Sequence, residues 1–145
     1  MNRMVILMKT RHAVLSSAAV LFLFLLAACG GGAFKDPLNG TTWILTSIDN
    51  KLPIEKTSVT VEFTDGKIGG SSGCNSYGGS YEIKGEKITT DSIAMTLMAC
   101  ADPGVMEQEQ VFLGYIQDAR TFKLSEGQLQ IFRSDGKGLT FVPKA

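Results

Sequence analysis

Short segments in which apolar and polar residues alternate occupy most of the chain beyond residue 38. In residues 59–63, Val59, Val61 and Phe63 share one face, as in a half-buried strand. Asp65-Gly66 follows with the chemistry of a tight hairpin turn. Similar segments lie at residues 42–46, 67–70, 81–83, 87–89, 121–124, 129–133 and 139–142, and residues 93–98 fit either a strand or the approach to a helix. The pattern predicts a mainly β (α+β) fold, built as a small antiparallel curved sheet or barrel.

One segment has helical spacing instead. Residues 103–119 predict a single amphipathic helix laid on the sheet, with an apolar face of Val105, Met106, Phe112, Leu113 and Ile116. Asp102 is a good N-cap and Pro103 suits the first helical position. Glu107 and Glu109 place negative charge near the helix N-terminus. Because they are two positions apart, they point in different directions and are not expected to form an acid–base pair.

The first 28 residues have the features of an export signal. Lys9 and Arg11 precede an apolar run at residues 13–28, which ends in small residues before Cys29. The segment resembles the lipobox of bacterial lipoproteins, in which the cysteine receives a diacylglycerol and the chain is cut before it. The resemblance implies cleavage between Ala28 and Cys29 and lipidation of Cys29. A signal at residues 1–28, a flexible linker at 29–37 and one domain at 38–145 are therefore expected.

Alternatives for this segment stay open. An uncleaved membrane helix needs roughly 20 predominantly apolar residues, and residues 13–28 are a run of 16 that includes Ser16 and Ser17. Cys29 as an ordinary core cysteine is opposed by the three glycines at residues 30–32, which cannot build a core. Translation from Met8 would also give a good signal, since Lys9 and Arg11 follow it directly.

Removal of residues 1–28 changes the composition of what remains. The mature chain has 117 residues with 11 basic and 14 acidic side chains, a net charge of −3. This balance excludes a strongly basic protein built to bind nucleic acid. The signal also inflates the mean hydropathy, so we expect a soluble domain on a lipid tether.

Cys74 and Cys100 are the cysteines left after Cys29 is lipidated, an even pair in an export compartment that permits disulfides. They are therefore disulfide candidates. The alternative is a thiolate metal or redox site. It is disfavoured because the sequence has no C-x-x-C spacing and no histidine after His12. We expect no metal and no cofactor.

The mature sequence lacks the residue sets of common enzymes. His12 lies in the signal, which removes histidine-dependent catalysis. No phosphate-binding glycine motif and no nucleophile elbow is present. Ser134 and Lys137 match a serine–lysine signature, but they fall on a predicted hairpin turn without the partner motifs. The sequence predicts a protein that is not an enzyme.

Three blocks in the middle of the chain resemble the META domain family, which includes the heat-inducible bacterial protein HslJ. They are G-C-N-x-Y-x-G-x-Y at residues 73–81, T-x-M-A-C at 96–100 and M-E-x-E at 106–109, and an opening L-x-G-x-x-W lies at 38–43. The resemblance implies a lipocalin-like barrel or curved sheet with one helix. It also implies links to heat response, drug tolerance or virulence. Leu97 departs from the family, where many members have arginine or lysine.

Asn75, Ser76 and Tyr77 admit two interpretations. A glycine-rich strand corner needs such residues for its own turn, and this structural interpretation is favoured. The functional interpretation is a surface patch or shallow pocket that binds a partner.

These observations lead to the hypothesis of a non-enzymatic cell-envelope lipoprotein in stress response or protein interaction. Its partners would be the membrane, through Cys29, and an unidentified envelope protein or ligand. Gly30 after the cysteine favours the periplasmic face of an outer membrane. Alternatives are an inhibitor of lysozyme-like hydrolases, which would use a loop at residues 72–77, and a small-ligand-binding barrel. A hydrolase is the least favoured class.

Overall fold

Within residues 35–145, the part of the chain that the computed structural model describes, eight strands and one helix follow one another. The strands are β1 (Thr41–Ile48), β2 (Ser58–Thr64), β3 (Lys67–Gly73), β4 (Ser76–Lys84), β5 (Lys87–Met95), β6 (Thr121–Ser125), β7 (Gln128–Phe132) and β8 (Gly138–Pro143). The helix, α1 (Val105–Gln117), lies between β5 and β6 in the chain. Each strand pairs antiparallel with the next, and β1 pairs with β8, which closes a barrel. The predicted mainly β fold is confirmed. The predictions for Ala28 and Cys29 lie outside the described residues.

The β2–β3 hairpin shows how local sequence sets the strands. In β2, the alternating side chains Val59, Val61 and Phe63 are all buried. Asp65 and Gly66 have positive φ angles of 48° and 75°, as a two-residue turn of the I′ type requires. The alternation of β2 and the Asp65-Gly66 turn each depend on residues close together in the sequence. The hairpin therefore lies where the sequence predicts it.

The contact between β5 and β6 differs from the other strand pairs of the barrel. It has one paired position, Lys87 with Thr121. Further along β5, the Thr90 hydroxyl donates to the carbonyl oxygen of Ile116 in α1 at 2.7 Å. The helix also packs against β3 and β8. The helix therefore stabilises the part of the wall that the short β5–β6 ladder leaves unpaired.

Large apolar side chains fill the barrel interior. The ring of Phe63 meets that of Tyr81 edge to face with centroids 4.9 Å apart, and Tyr77 meets Phe112 of α1 in the same way at 5.4 Å. Fully buried residues include Phe63, Ile68, Ile88, Phe112, Ile116, Leu129, Ile131, Leu139 and Phe141. The interior is thus a packed core, as in other small barrels.

The start of α1 corrects one prediction. The helix begins at Val105 rather than at Pro103 and ends at Gln117. Gly104 precedes it with a left-handed φ of 80°, and the Asp102 side chain makes no capping hydrogen bond. Residues 102–105 instead form a turn in which Val105 N–H donates to the Asp102 carbonyl oxygen at 3.4 Å. No helix among residues 35–145 combines the length and the apolar character needed to cross a membrane.

The two ends of β4 define two ends of the molecule. Residues 35–37 lie against Ile83 and Gly85, and the Tyr81 hydroxyl donates to the Asp36 carboxylate. We call this the Gly85 end. The turn that joins β3 to β4 lies at the other end of the strand, which we call the Cys74 end. The nine residues of β4 separate the two ends by roughly 26–30 Å, at about 3.3 Å per residue.

Candidate functional site

Glu109 of α1 is the one acidic residue among the buried polar residues of the described structure, and it is 1 % exposed. Its Oε1 accepts hydrogen bonds from Ser72 Oγ at 2.6 Å, Cys74 N at 2.9 Å and Asn75 N at 2.6 Å. Its Oε2 accepts one from Asn75 Nδ2 at 2.8 Å. The carboxylate thus joins the helix to the β3–β4 turn through donors that are all uncharged.

The β3–β4 turn is shaped to make these contacts. Gly73 has a φ of 127°, a conformation that side-chain-bearing residues rarely adopt. The Ser72 N–H donates to the Asn75 carbonyl oxygen at 2.8 Å and closes the turn. The Gly73 N–H donates to Ser71 Oγ at 3.2 Å, and the N–H groups of Cys74 and Asn75 point at Glu109. The positive φ at residue 73 therefore explains why a glycine occupies this position of the turn.

The environment of Glu109 keeps it ionised. Burial raises the pKa of the carboxyl group, but the hydrogen bonds from Ser72, Asn75 and Cys74 together lower it more, so the pKa lies below its ordinary value. A carboxylate held in this way is a poor general acid or base, since its protonation is unfavourable. Its arrangement is that of a structural anion.

Asn75 extends the network to the segment between β5 and α1. Its Oδ1 accepts hydrogen bonds from Thr96 Oγ1 at 2.9 Å and from Met98 N at 2.8 Å. Its Nδ2 donates to the Met98 carbonyl oxygen at 3.3 Å as well as to Glu109. One side chain therefore holds residues 96–98 in place.

Cys74 and Cys100 form a disulfide bond, as predicted, with their Cα atoms 6.2 Å apart. The bond joins the β3–β4 turn to the same segment that Asn75 holds. We call Ser72, Cys74, Asn75, Cys100 and Glu109 the clamp. Closing a loop of 26 residues contributes about 3–4 kcal/mol in the chain-entropy model.

The clamp also contains a group of residues with metal-ligand chemistry. The two cysteine sulfurs and a Glu109 oxygen lie within 4.8 Å of one another. Zinc and similar ions bind cysteine as the thiolate. Because the two sulfurs are bonded to each other, neither is a thiolate in this state. With its cysteines oxidised, the clamp is a covalent cross-link between the β3–β4 turn and the segment before α1, and it offers no thiolate to a metal.

The structure places the predicted patch of Asn75, Ser76 and Tyr77 differently from the surface interpretation. Ser76 is exposed, but Asn75 and Tyr77 are buried. The Tyr77 hydroxyl donates to the Thr60 carbonyl oxygen at 3.0 Å, and burial raises the pKa of this phenol. The three residues therefore do not form a common surface patch, because Tyr77 is an inward position of β4 and Asn75 bonds to Glu109.

The same burial affects the loop proposed for lysozyme inhibition. In residues 72–77, Ser72, Asn75 and Tyr77 are all buried and hydrogen-bonded within the domain. A loop that inhibits an enzyme has to present its side chains to a partner. This segment instead directs those side chains into the clamp and the core.

An apolar surface lies beside the clamp, and sequence reasoning did not identify it. Leu97 is 89 % exposed, Met98 56 % and Met106 44 %. With Met95, Ala99 and Gln110 they line a groove of about 230 Å³, to which the clamp residues Asn75 and Glu109 also contribute. We call this the Met groove. It lies at the Cys74 end of β4.

A second depression of about 440 Å³ lies along the outer face of β4 and β5. It is lined by Gly66, Ser80, Tyr81, Glu82, Thr89, Thr90 and Asp91. Glu82 pairs with Lys84 at 3.5 Å, and both side chains are largely exposed. These contacts are those of an ordinary solvated strand surface.

Glu109 was missed as a site residue, although its helical spacing contains a signal. It lies four positions after Val105 and seven before Ile116, and both of these residues are buried. A glutamate on the apolar face of a helix has to find donors, so the spacing could have predicted a buried carboxylate.

The comparisons with known proteins agree with this architecture. A solved structure from Burkholderia xenovorans is 25 % identical, with a TM-score of 0.62 over 74 % of this chain and 84 % of that one. Another structure determined by NMR is also 25 % identical, with a TM-score of 0.60 over 72 % and 90 %. A DUF4847 family protein from Bacteroides vulgatus shares the fold at 10 % identity, with a TM-score of 0.53 over 73 % and 94 %.

No curated protein matches the chain. The META domain profile matches residues 36–145, which include every strand of the barrel, the helix and the clamp. The chain belongs to the META domain family.

Proposed function

We propose that this protein is a non-enzymatic, lipid-anchored interaction protein of the cell envelope. Its signal sequence and Cys29 support the anchor, and the Met groove supports the interaction role. The non-enzymatic part draws on Glu109, whose lowered pKa and internal hydrogen bonds suit it to a structural task.

The exposure of Leu97 carries the interaction role. The two residues that follow Thr96 are exposed and apolar, yet Asn75 and the disulfide hold this segment to the barrel. Exposed apolar clusters on soluble domains commonly mark binding sites. A segment held in place also loses little conformational entropy when it binds.

The positions of the tether and the groove are compatible with this role. Lys35, six residues after Cys29, lies at the Gly85 end, whereas the Met groove lies at the Cys74 end. With a lipid on Cys29, the domain would be attached to the membrane through its Gly85 end. The groove would then lie at the end of the domain remote from the tether, where a partner in the aqueous compartment can reach it.

The anchor is tested by expressing the full chain in bacteria supplied with a fatty acid that carries an alkyne. We expect label and membrane association for the wild type, and loss of both for Cys29→Ser. The matched control is the double variant Cys74→Ala/Cys100→Ala, which we expect to keep the label. Membrane association without lipid in the Cys29→Ser variant would contradict the proposal.

The interaction role needs a separate experiment in the same cells. A photoreactive amino acid placed at Leu97 should form a discrete cross-linked product. The control site is Leu52, which is 87 % exposed but does not line the Met groove. Equal cross-linking from both sites would indicate that the groove has no partner of its own.

A further inference from the structure

We propose that the Met groove binds cationic amphipathic peptide segments, with one apolar side chain in the groove and basic side chains around it. The proposal rests on the interaction role described above, and it names the chemistry of the partner. Two independent properties of this surface lead to it, namely its charge and its methionine content.

The charge of the chain is strongly segregated. Residues 88–119 contain five acidic residues and no lysine or arginine, whereas all 11 basic residues of residues 35–145 lie outside this segment. The segment includes most of β5, the connection that holds Leu97, and α1. The acidic residues are Asp91, Asp102, Glu107, Glu109 and Asp118. Asp91 lines the depression along β4 and β5, Asp118 pairs with Arg133 and Glu109 is buried, so the exposed acidic residues that remain are Asp102 and Glu107, near the start of α1.

The acidic side chains nearest the groove are not neutralised within the domain. Among residues 35–145, the ion pairs are Lys84–Glu82, Arg133–Asp118 and Arg133–Asp135. Glu107 follows the groove residue Met106 directly, and both Glu107 and Asp102 are exposed. Glu109 adds an ionised carboxylate at the floor, bound by uncharged donors. A basic ligand would place positive charge beside Asp102 and Glu107, which have no ion-pair partner among residues 35–145.

The apolar part of the surface is rich in methionine. Met95, Met98 and Met106 all line the groove, and Leu97 stands beside them. Methionine is unbranched and polarisable, so methionine surfaces adapt to different apolar side chains. Exposed acidic residues at the start of α1, beside such a surface, suit an amphipathic helix that presents apolar and basic residues together.

The size of the groove limits how the peptide is held. A volume of about 230 Å³ accommodates one large apolar side chain rather than a whole helix. The remaining contacts would come from Leu97 and from Glu107, which follows the groove residue Met106 and lies three positions before Gln110. Binding should therefore depend on both salt and apolar contact, and neither alone should suffice.

The test uses the protein purified from membranes in a zwitterionic detergent, and a synthetic peptide of lysine and leucine in amphipathic helical order. One leucine of the peptide carries a photoreactive group, and mass spectrometry locates the cross-link. We expect cross-links at Leu97, Met98 or Met106, reduced at least about fivefold between low and high salt, where screening is strong. Peptides with glutamate for lysine, or with serine for leucine, should give little product.

Protein variants make the test specific. Met106→Lys places a positive charge in the groove and should weaken cross-linking about tenfold, and Glu107→Gln should weaken it about threefold. The control Leu52→Lys introduces the same charge at an exposed leucine outside the groove and should have no effect. Trp43 fluorescence shows whether each variant is folded, because Trp43 is buried in the barrel.

Several results would overturn the proposal. The first are cross-links spread over the surface, equal labelling by the glutamate peptide, and binding that Met106→Lys leaves unchanged. Binding of lysozyme without binding of the peptide would also overturn it, in favour of a folded cationic partner. If the peptide fails while Leu97 still cross-links a partner in cells, the interaction role stands and the peptide chemistry is wrong.

Discussion

The backbone N–H of Asn75 donates to the carboxylate of Glu109 at 2.6 Å, and so links the β3–β4 turn to a helix 34 residues away in sequence. The side chain of the same asparagine donates to the other carboxylate oxygen. A single buried anion thus fixes both the turn and the helix.

Glu109→Gln should destabilise the domain by about 2–4 kcal/mol, although it preserves the shape of the side chain. The amide is neutral, and its N–H₂ group would face donors that now point at a carboxylate oxygen. Urea denaturation followed by Trp43 fluorescence measures the change. Glu107→Gln, on the exposed side of the same helix, should change the free energy of unfolding by less than about 0.5 kcal/mol.

The stability of the protein should fall in acid because of Glu109. Its pKa in the folded state lies below the ordinary value of 4.5. The unfolded chain therefore binds this proton at higher pH than the folded one, and the stabilisation is full above the ordinary pKa. It is lost as the pH falls through the lowered folded pKa. Glu109→Gln should flatten the unfolding free energy against pH in this range, whereas an unchanged slope would contradict the assignment.

The disulfide should contribute measurably to stability. Cys74→Ala/Cys100→Ala should lower the free energy of unfolding by about 2–4 kcal/mol, since the unfolded chain gains conformational freedom. Reduction of the wild type should approach the same value. The double variant itself should be insensitive to reductant, and a similar response of both proteins would rule out this bond as the cause.

Two glycines provide a matched test of the barrel wall. A Cβ atom on Gly70 would overlap the carbonyl oxygen of Thr60, and its φ of 147° disfavours any side chain, so Gly70→Ala should cost several kcal/mol or prevent folding. Gly85 has a φ of 64° but open space around it. Gly85→Ala should cost about 1 kcal/mol from backbone strain alone. Thermal unfolding compares the two, and equal losses would contradict the close approach at Thr60.

The parts of the fold that depend on neighbouring residues were predictable from the sequence. The alternation in β2 and the Asp65-Gly66 turn both act within a few residues, and both were found in the structure. Gly104 shows the limit of this reasoning. The sequence favoured Asp102 as the cap, but a left-handed glycine starts the helix two residues later.

Closure and the clamp depend on contacts that are distant in the chain. Trp43 pairs with Pro143 across the whole domain, and no local pattern indicates that register. Likewise, Asn75 was a residue of ambiguous role because its partners, Met98 and Glu109, lie 23 and 34 residues away. The burial of Asn75 could be predicted only if the fold that brings Met98 and Glu109 to it were already known.

The contact between β5 and β6 gives the barrel a preferred place to open. Each other neighbouring pair of strands shares four or more paired positions, whereas these two strands share one and depend on α1. Local fluctuations that lift the helix would expose the β5 edge before any other strand separates. The disulfide would limit this movement, because it keeps Cys100, just before α1, attached to the β3–β4 turn of the barrel. Such local opening would widen the Met groove beside Met95 and Met98 without unfolding the rest of the barrel.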